Sequence, residues 1–511
     1  MEGPDMNEGG PPARLQLAMS PLGPPHAVPQ PSQSTSPDPG HSDLDPEDWP
    51  ETRRQAHRML DDILDYVEGI RSRPTWQPMP PEARARLREP LPVQGAPLAE
   101  IHAAFLRDVL PYATGNVHPG FLGWVHGGGT VAGLLGEMLA GGLNANLGGR
   151  DHAPIEVERQ ILAWVREIFR FPASASGLFV TGTSLANFLG VLVARRAALG
   201  NAVRAEGLGA NGLRLRAYAS RAVHSCVPRA LDMAGLGSQA LRQLPTAPGG
   251  GLDLEALRLA LAEDRAAGFQ PFLVVGTAGA VDTGAVDDLA AIADLCAREG
   301  LWFHVDGAFG ALAILAPARA GLLRGIERAD SLAFDFHKWG QVPYDAGYLL
   351  VRDGELHRAA FATPAAYLRR ETRGMAAGSP WPTDLGPDLS RGFRALKTWF
   401  TLKAYGLERL GRAIEATCAL ATYLEARIKA TPELELLAPV TLNIVCFRHR
   451  GEDPDALNAR IAVRVQESGL AAPSTTVLDG KLALRAAIVN HRTRREDLDR
   501  FLDAVLALAH D

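Results

Sequence analysis

SLAFDFHKWGQVPYDAGYLLVRD, residues 331–353, carries two short apolar runs, Ser331 to Phe334 and Gly347 to Val351, on either side of a polar turn. Runs of that length bounded by Gly, Pro and Asp read as buried strands. Directly after the first run stand His337 and Lys338, with Phe336 and Trp339 flanking the pair. A lysine among such neighbours is partly desolvated, and desolvation favours the neutral amine that captures an aldehyde. A surface lysine beside ordinary core aromatics is the other reading of this motif alone.

Upstream, LWFHVDGAFGA (301–311) is a strand delivering Asp306 at its C-terminal end. Ligands of open α/β sheets gather at such ends. A carboxylate there can pair with a protonated pyridine nitrogen, or it can cap the following helix. Further upstream, GLFVTGTSLANFLGVLVARR (177–196) runs from a strand through Thr181, Gly182, Thr183 and Ser184 into a helix, which suits an isolated phosphate or an ordinary N-cap. Two more candidates lie between: His224 in ASRAVHSCVPRAL, able to stack on an aromatic ring, and Thr277 in VVGTAGAVDTGAVDD, able to bond a ring oxygen. Their joint order, phosphate turn, His, Thr, Asp and Lys, each at the end of an expected strand, sets them apart from isolated matches.

The strands expected are Gly177 to Val180, Leu215 to Ala219, Phe272 to Thr277, Leu301 to Asp306, Ser331 to Phe334 and Gly347 to Val351. A helix over Val286 to Glu299 lies among them, as in an α/β domain with a largely parallel sheet. Downstream, a long helix from Leu402 to Thr431 leads to strands near Thr441 to Arg448 and Lys481 to Ala487, and a last helix begins near Arg495. Near the start, Ala56, Met59, Leu60, Ile63, Leu64 and Val67 recur at helical spacing within residues 45–70, an amphipathic arm. Residues 1–45, rich in Pro, Gly and Ser, read as a disordered tail. The division expected is tail 1–45, helical arm 46–130, large domain 131–400 and small C-terminal domain 401–511.

A chain of 511 residues exceeds what one core organises. Its net charge of -6 offers no basic footprint for nucleic acid, so the expected partner is a small molecule. The four cysteines, Cys226, Cys296, Cys418 and Cys446, lack C-x-x-C pairing and suggest neither a metal site nor a disulfide scaffold; they point to a reducing cytoplasm. The uncharged stretches 117–136 and 177–194 are broken by Gly, Thr, Ser and Asn and read as loops feeding buried helices rather than membrane spans. The acidic start MEGPDMNEGG resembles no secretory signal.

From about Asp45 to Asp511 the chain resembles the group II pyridoxal-phosphate-dependent amino acid decarboxylases, the family that includes aromatic-L-amino-acid decarboxylase. The resemblance rests on DYVEGI, HPGFLGW, TGTS, HSCVPRA, the aspartate strand, HKW and GFRALKTWF. It implies a fold type I α/β enzyme: a mainly parallel seven-stranded sheet in the large domain, an N-terminal helical arm and a small α+β domain. It also implies a homodimer with shared active sites and exchanged arms. By motif, Lys338 is the Schiff-base lysine of pyridoxal 5'-phosphate, Asp306 pairs with the ring nitrogen, and His224 stacks on the ring. Thr183, Ser184, Asp335 and His337 fall at the phosphate end, and Thr277 beside the ring. The family usually has Asn where this chain has Asp335.

Tyr367, 29 residues after Lys338 in the small-residue segment FATPAAYLRRETRGMAAGSPWPTD, matches the family's mobile-loop tyrosine, which returns a proton to Cα after carbon dioxide leaves. Trp124 and His126, in HPGFLGWVHGGGT, should line the side-chain pocket. The expected reaction is conversion of an L-amino acid, aromatic by preference, to its amine. An acidic or small polar substrate, a fold type I aminotransferase or carbon-sulfur lyase, and a decayed homologue serving as a scaffold are the alternatives.

Overall fold

The computed structural model describes residues 44–208, 214–363 and 366–510; the tail expected over residues 1–45 lies almost wholly outside them. The chain divides into two units, one ending at Arg54 and one beginning at Gln55. A 20-residue helix, Trp49–Glu68, spans the division, within the bounds expected for the arm helix.

The first strand, β1 (Phe121–Leu122), belongs to a smaller sheet. The next seven form the larger one: β2 (Ser176–Val180), β3 (Leu215–Ser220), β4 (Leu241–Leu244), β5 (Gln270–Thr277), β6 (Trp302–Asp306), β7 (Ser331–Asp335) and β8 (Gly347–Val351). Their spatial order is β2-β8-β7-β6-β5-β3-β4. Every pairing is parallel except the two made by β8, which runs against both β2 and β7. The strands β2 to β7 therefore all end on one edge of the sheet. Both β7 and β8 are buried along their whole length, the mark of a sheet covered on both faces. This is the α/β architecture of fold type I.

The smaller sheet, in the order β1-β11-β12-β10-β9, adds β9 (Leu434–Leu436), β10 (Ile444–His449), β11 (Ala472–Leu478) and β12 (Lys481–Ala487). Leu424, Ile428, Phe447, Ile461, Leu484 and Phe501 close a second core on it. Among the described residues no helix is long and apolar enough to cross a membrane.

Three boundaries differ from the sequence reading. The helix expected from Val286 starts at Leu289, because the Asp287 carboxylate accepts the N–H groups of Leu252 and Thr277, both at 2.7 Å, while Asp288 caps the helix through Ala291 N–H. The long helix starts at Arg394 rather than Leu402 and reaches Lys429, interrupted at Gly406, whose φ of 68° and ψ of 161° break the helical run. The strand expected near Thr441 begins at Ile444.

Candidate active site

Ten of the eleven candidate residues, Trp124, His126, Thr183, Ser184, His224, Thr277, Asp306, Asp335, His337 and Lys338, line one cavity of about 350 Å³ at the shared edge of the larger sheet. The eleventh, Tyr367, lies outside that lining in a short 3-10 turn, Ala366–Leu368, and is 74% exposed.

Lys338 follows β7, and its Nζ stands 2.9 Å from Asp335 Oδ2. The lysine side chain is 23% exposed and that of Asp335 2%, so the amine reaches the cavity while its carboxylate partner is sealed beneath it. Asp335 Oδ1 accepts the Thr183 N–H at 2.7 Å. Both oxygens are thus engaged, and the backbone donor at the head of the Thr183–Leu199 helix is already taken. The ring of His337 lies 4.2 Å from that of Tyr344, and its Nδ1 accepts Ala346 N–H at 2.9 Å. Burial pushes the His337 imidazole down to about 4, so it is neutral at physiological pH.

Asp306, at the end of β6, is almost fully buried and accepts from Asn187 Nδ2 at 3.0 Å and Ala308 N–H at 3.2 Å. Burial raises its carboxyl above the usual range, opposed by the nearby His224 and Lys338. Two buried hydroxyls of cavity-lining residues, Thr183 Oγ1 and Thr277 Oγ1, have no hydrogen-bond partner among the described residues. Buried polar groups are nearly always paired, so these two suit a polar ligand. Together with an amine at Lys338 and a carboxylate at Asp306, the set fits pyridoxal 5'-phosphate: an aldehyde for the amine, a ring nitrogen for the carboxylate, oxygens for the hydroxyls.

The opposite wall comes from the loop after β1. Phe121, Trp124 and His126 form a run of aromatic contacts with ring centroids 5.6 to 6.1 Å apart, and Tyr344 meets His126 edge-on at 5.9 Å. A Cβ on Gly127 would stand 2.4 Å from the carbonyl oxygens of both His337 and Lys338, so only glycine lets this loop lie against the lysine turn. Buried Arg485 of β12 fixes the loop from behind by donating to Trp124 O at 3.0 Å and to Asp282 O at 3.2 Å.

Sequence reading missed Asn187, His304, Tyr344 and Arg485. Two of them left a signal: Asn187 stands one helical turn after Thr183, and His304 two residues before Asp306 on the same face of a strand. Tyr344 and Arg485 left none, because their places depend on how the lysine turn and the smaller sheet come together.

A family model described as the pyridoxal-dependent decarboxylase conserved domain matches residues 80–450. An aromatic-L-amino-acid decarboxylase of Bacillus atrophaeus is 32% identical over 472 residues, covering 90% of this chain and 96% of the relative. The crystal structure of Catharanthus roseus tryptophan decarboxylase in complex with L-tryptophan superposes with a TM-score of 0.82 at 27% identity, over 92% of this chain and 100% of that one. The glutamate decarboxylase domain of a Vibrio parahaemolyticus protein gives 0.80 at 26% identity, over 90% and 95%. With its lysine turn, buried carboxylate and unpartnered hydroxyls gathered at one sheet edge, and with a matched domain covering most of its length, the chain belongs to the pyridoxal-dependent decarboxylase family.

Proposed function

We propose that this enzyme decarboxylates an aromatic L-amino acid. The observation carrying the substrate class is the cavity wall: Trp124, His126, Phe309 and Tyr344 contribute rings, while among the described lining residues Lys338 is the only lysine or arginine. A side-chain carboxylate would need a cation of its own to enter such a site. Burial, with Lys338 nearby, pushes the His126 imidazole down, so it offers a neutral hydrogen-bonding edge rather than a charge.

Lys338 would hold the cofactor through its amine, which reaches the cavity from the end of β7. Asp306 would keep the ring nitrogen protonated; a pair at about 4 Å and an effective dielectric of about 20 is worth roughly 4 kcal/mol, about three pKa units. When bound, pyridoxal 5'-phosphate supplies the electron-accepting ring that takes the pair left as carbon dioxide departs. His224 would stack against that ring and Thr277 would donate to its oxygen, while Thr183, Ser184 and His337 would hold the phosphate end. Asp335, already bound to Thr183 N–H and Lys338, acts as their anchor rather than as a phosphate ligand. Tyr367 delivers the proton to Cα.

We read the active form as a homodimer whose sites are shared. An apolar groove of about 640 Å³, with Met59, Ile63 and Val67 facing Val131, Leu134 and Met138, supports a covering subunit, as does the exposure of Tyr367. The division into arm, large and small domains is retained on this reading. So is a cytoplasmic location, which four unpaired, buried cysteines suit.

The test is an absorbance spectrum with pyridoxal 5'-phosphate beside Lys338→Ala, followed by carbon dioxide release across the common amino acids. A visible band that the variant lacks, with release confined to aromatic substrates, is the expected result. Release from glutamate or aspartate alone would overturn the substrate class, and a band without carbon dioxide would favour transamination or lyase chemistry.

A further inference from the structure

Asp306 is the last member of a buried chain of side chains extending away from the cavity. Asn187 Nδ2 donates to Asp306 Oδ2 at 3.0 Å and also approaches Cys226 Sγ at 3.2 Å. Asn187 Oδ1 lies 2.8 Å from His304 Nε2, His304 Nδ1 lies 2.7 Å from Ser331 Oγ, and Trp302 Nε1 donates to that same oxygen at 2.8 Å. Asn187, His304 and Ser331 are buried.

The direction of this chain follows once Asp306 is ionised, the state that a protonated ring nitrogen at the cavity end would favour. An indole N–H can only donate, so Ser331 Oγ accepts from Trp302 and its own proton is free to go to His304 Nδ1. An ionised carboxylate can only accept, so Asn187 presents its amide nitrogen to Asp306 and its oxygen to His304. His304 must then be the neutral tautomer with its proton on Nε2, and burial, which pushes this imidazole down to about 3, agrees. Every donor points toward Asp306. Hydrogen bonds in series polarise one another in a low dielectric, so the Asn187 amide meets the carboxylate as a stronger donor than it would alone.

The fold makes room for this arrangement. Asn187 and Gly190 share a face of the Thr183–Leu199 helix, and a Cβ on Gly190 would stand 2.8 Å from His304 Cε1. A side chain there would push the ring off Asn187.

We infer that His304, acting through Asn187, is a positioning residue that holds Asp306 ionised and correctly aimed at the cofactor's ring nitrogen. The inference rests on the pyridoxal-phosphate reading of the cavity. Neither residue is among those lining the cavity.

The experiment compares wild type, His304→Phe, His304→Gln and Ser331→Ala for the cofactor dissociation constant and for kcat and KM. Histidine-selective 15N NMR is recorded on the cofactor-free protein. Glutamine keeps a donor where Nε2 stands, phenylalanine removes it, and Ser331→Ala leaves the ring but frees its tautomer. A hydrogen bond to a charged group is worth enough to predict a cofactor affinity and a kcat each about tenfold lower in His304→Phe, with KM unchanged and His304→Gln within about threefold of wild type. The NMR should show His304 protonated at Nε2 before any cofactor is added. Tight cofactor binding by His304→Phe overturns the inference, and so does equal damage from Gln and Phe, which would mark a packing role. An Nδ1–H signal overturns the relay alone. Failure of the wild-type protein to bind the cofactor overturns the reading beneath it, and the NMR separates those two failures because it needs no cofactor. Should His304→Phe not fold, Ser331→Ala with a shifted tautomer and unaltered affinity would be equally damaging to the inference.

Discussion

Asp306 and Asp335 occupy equivalent places, at the C-terminal ends of the adjacent parallel strands β6 and β7, and both are buried. Their partners differ in kind. Asp335 is paired directly with a cation, Lys338 at 2.9 Å, whereas Asp306 receives only neutral donors, Asn187 and Ala308. A carboxylate whose two oxygens already meet the Lys338 amine and the Thr183 N–H has little left for a ligand. One solvated by amides keeps its charge available, at the cost of being harder to ionise. Position in the sheet therefore does not assign a role; the identity of the donors behind each carboxylate does.

Replacing the two in turn is the sharpest way to break this contrast. Asp306→Asn should lower kcat/KM roughly a thousandfold, the three pKa units of ring-nitrogen pairing lost at once, as read by carbon dioxide release. A loss under tenfold would put Asp306 back among ordinary structural aspartates. Next in size is Tyr367→Phe, which touches neither carboxylate. It should cost amine formation about a hundredfold, the lower range for a positioned proton donor, with the visible cofactor band intact and aldehyde appearing among the products. Unchanged amine yield would remove Tyr367 from the proton path.

Asp335→Asn should stay within about tenfold of wild type, because asparagine still accepts the Thr183 N–H through its oxygen. Damage equal to that of Asp306→Asn would erase the distinction. An effect on stability rather than rate concerns the neutral histidine near each carboxylate, His337 pushed down to about 4 and His304 to about 3. Unfolded, both bind a proton near pH 6.5, so below that pH the unfolded state holds more protons than the folded one. Stability is full above pH 6.5 and is lost as pH falls toward 4, on the order of 2 kcal/mol for each residue by pH 5. His304→Gln should flatten the dependence of the urea midpoint on pH by one residue's share, and an unchanged slope would mean that His304 titrates normally.

What the sequence disclosed follows the same contrast. Short apolar runs ending in a chemically active residue were legible, and β2, β3, β5, β6, β7 and β8 fall on the strands expected within two residues at either end. β4, with the pattern Leu-Arg-Gln-Leu, escaped notice because it is four residues long at the sheet edge and half polar. β11 escaped because Pro473 interrupts its start and its run Ser474, Thr475, Thr476 carries no apolar alternation. The cavity residues announced themselves by following strands. Asn187 and His304 left only the weaker signal of sharing a face with Thr183 and Asp306, because a hydrogen bond between a helix and a strand 117 residues away adds no local pattern of its own.

The strand order carries a consequence for synthesis. β2, which bears the Thr183 turn, is hydrogen-bonded to β8 and to no other strand of its sheet. When Val180 leaves the ribosome, 171 further residues (351 − 180) must follow before its neighbour is complete. At about 5 to 20 residues per second that is roughly 10 to 30 seconds. During this interval Leu178, Phe179 and Val180 are an unpaired apolar strand, the kind of segment that chaperones guard and that aggregates when they are absent. The lysine turn and the phosphate turn come together in the same late event, so a nascent chain halted before Gly347 lacks the strand that joins them.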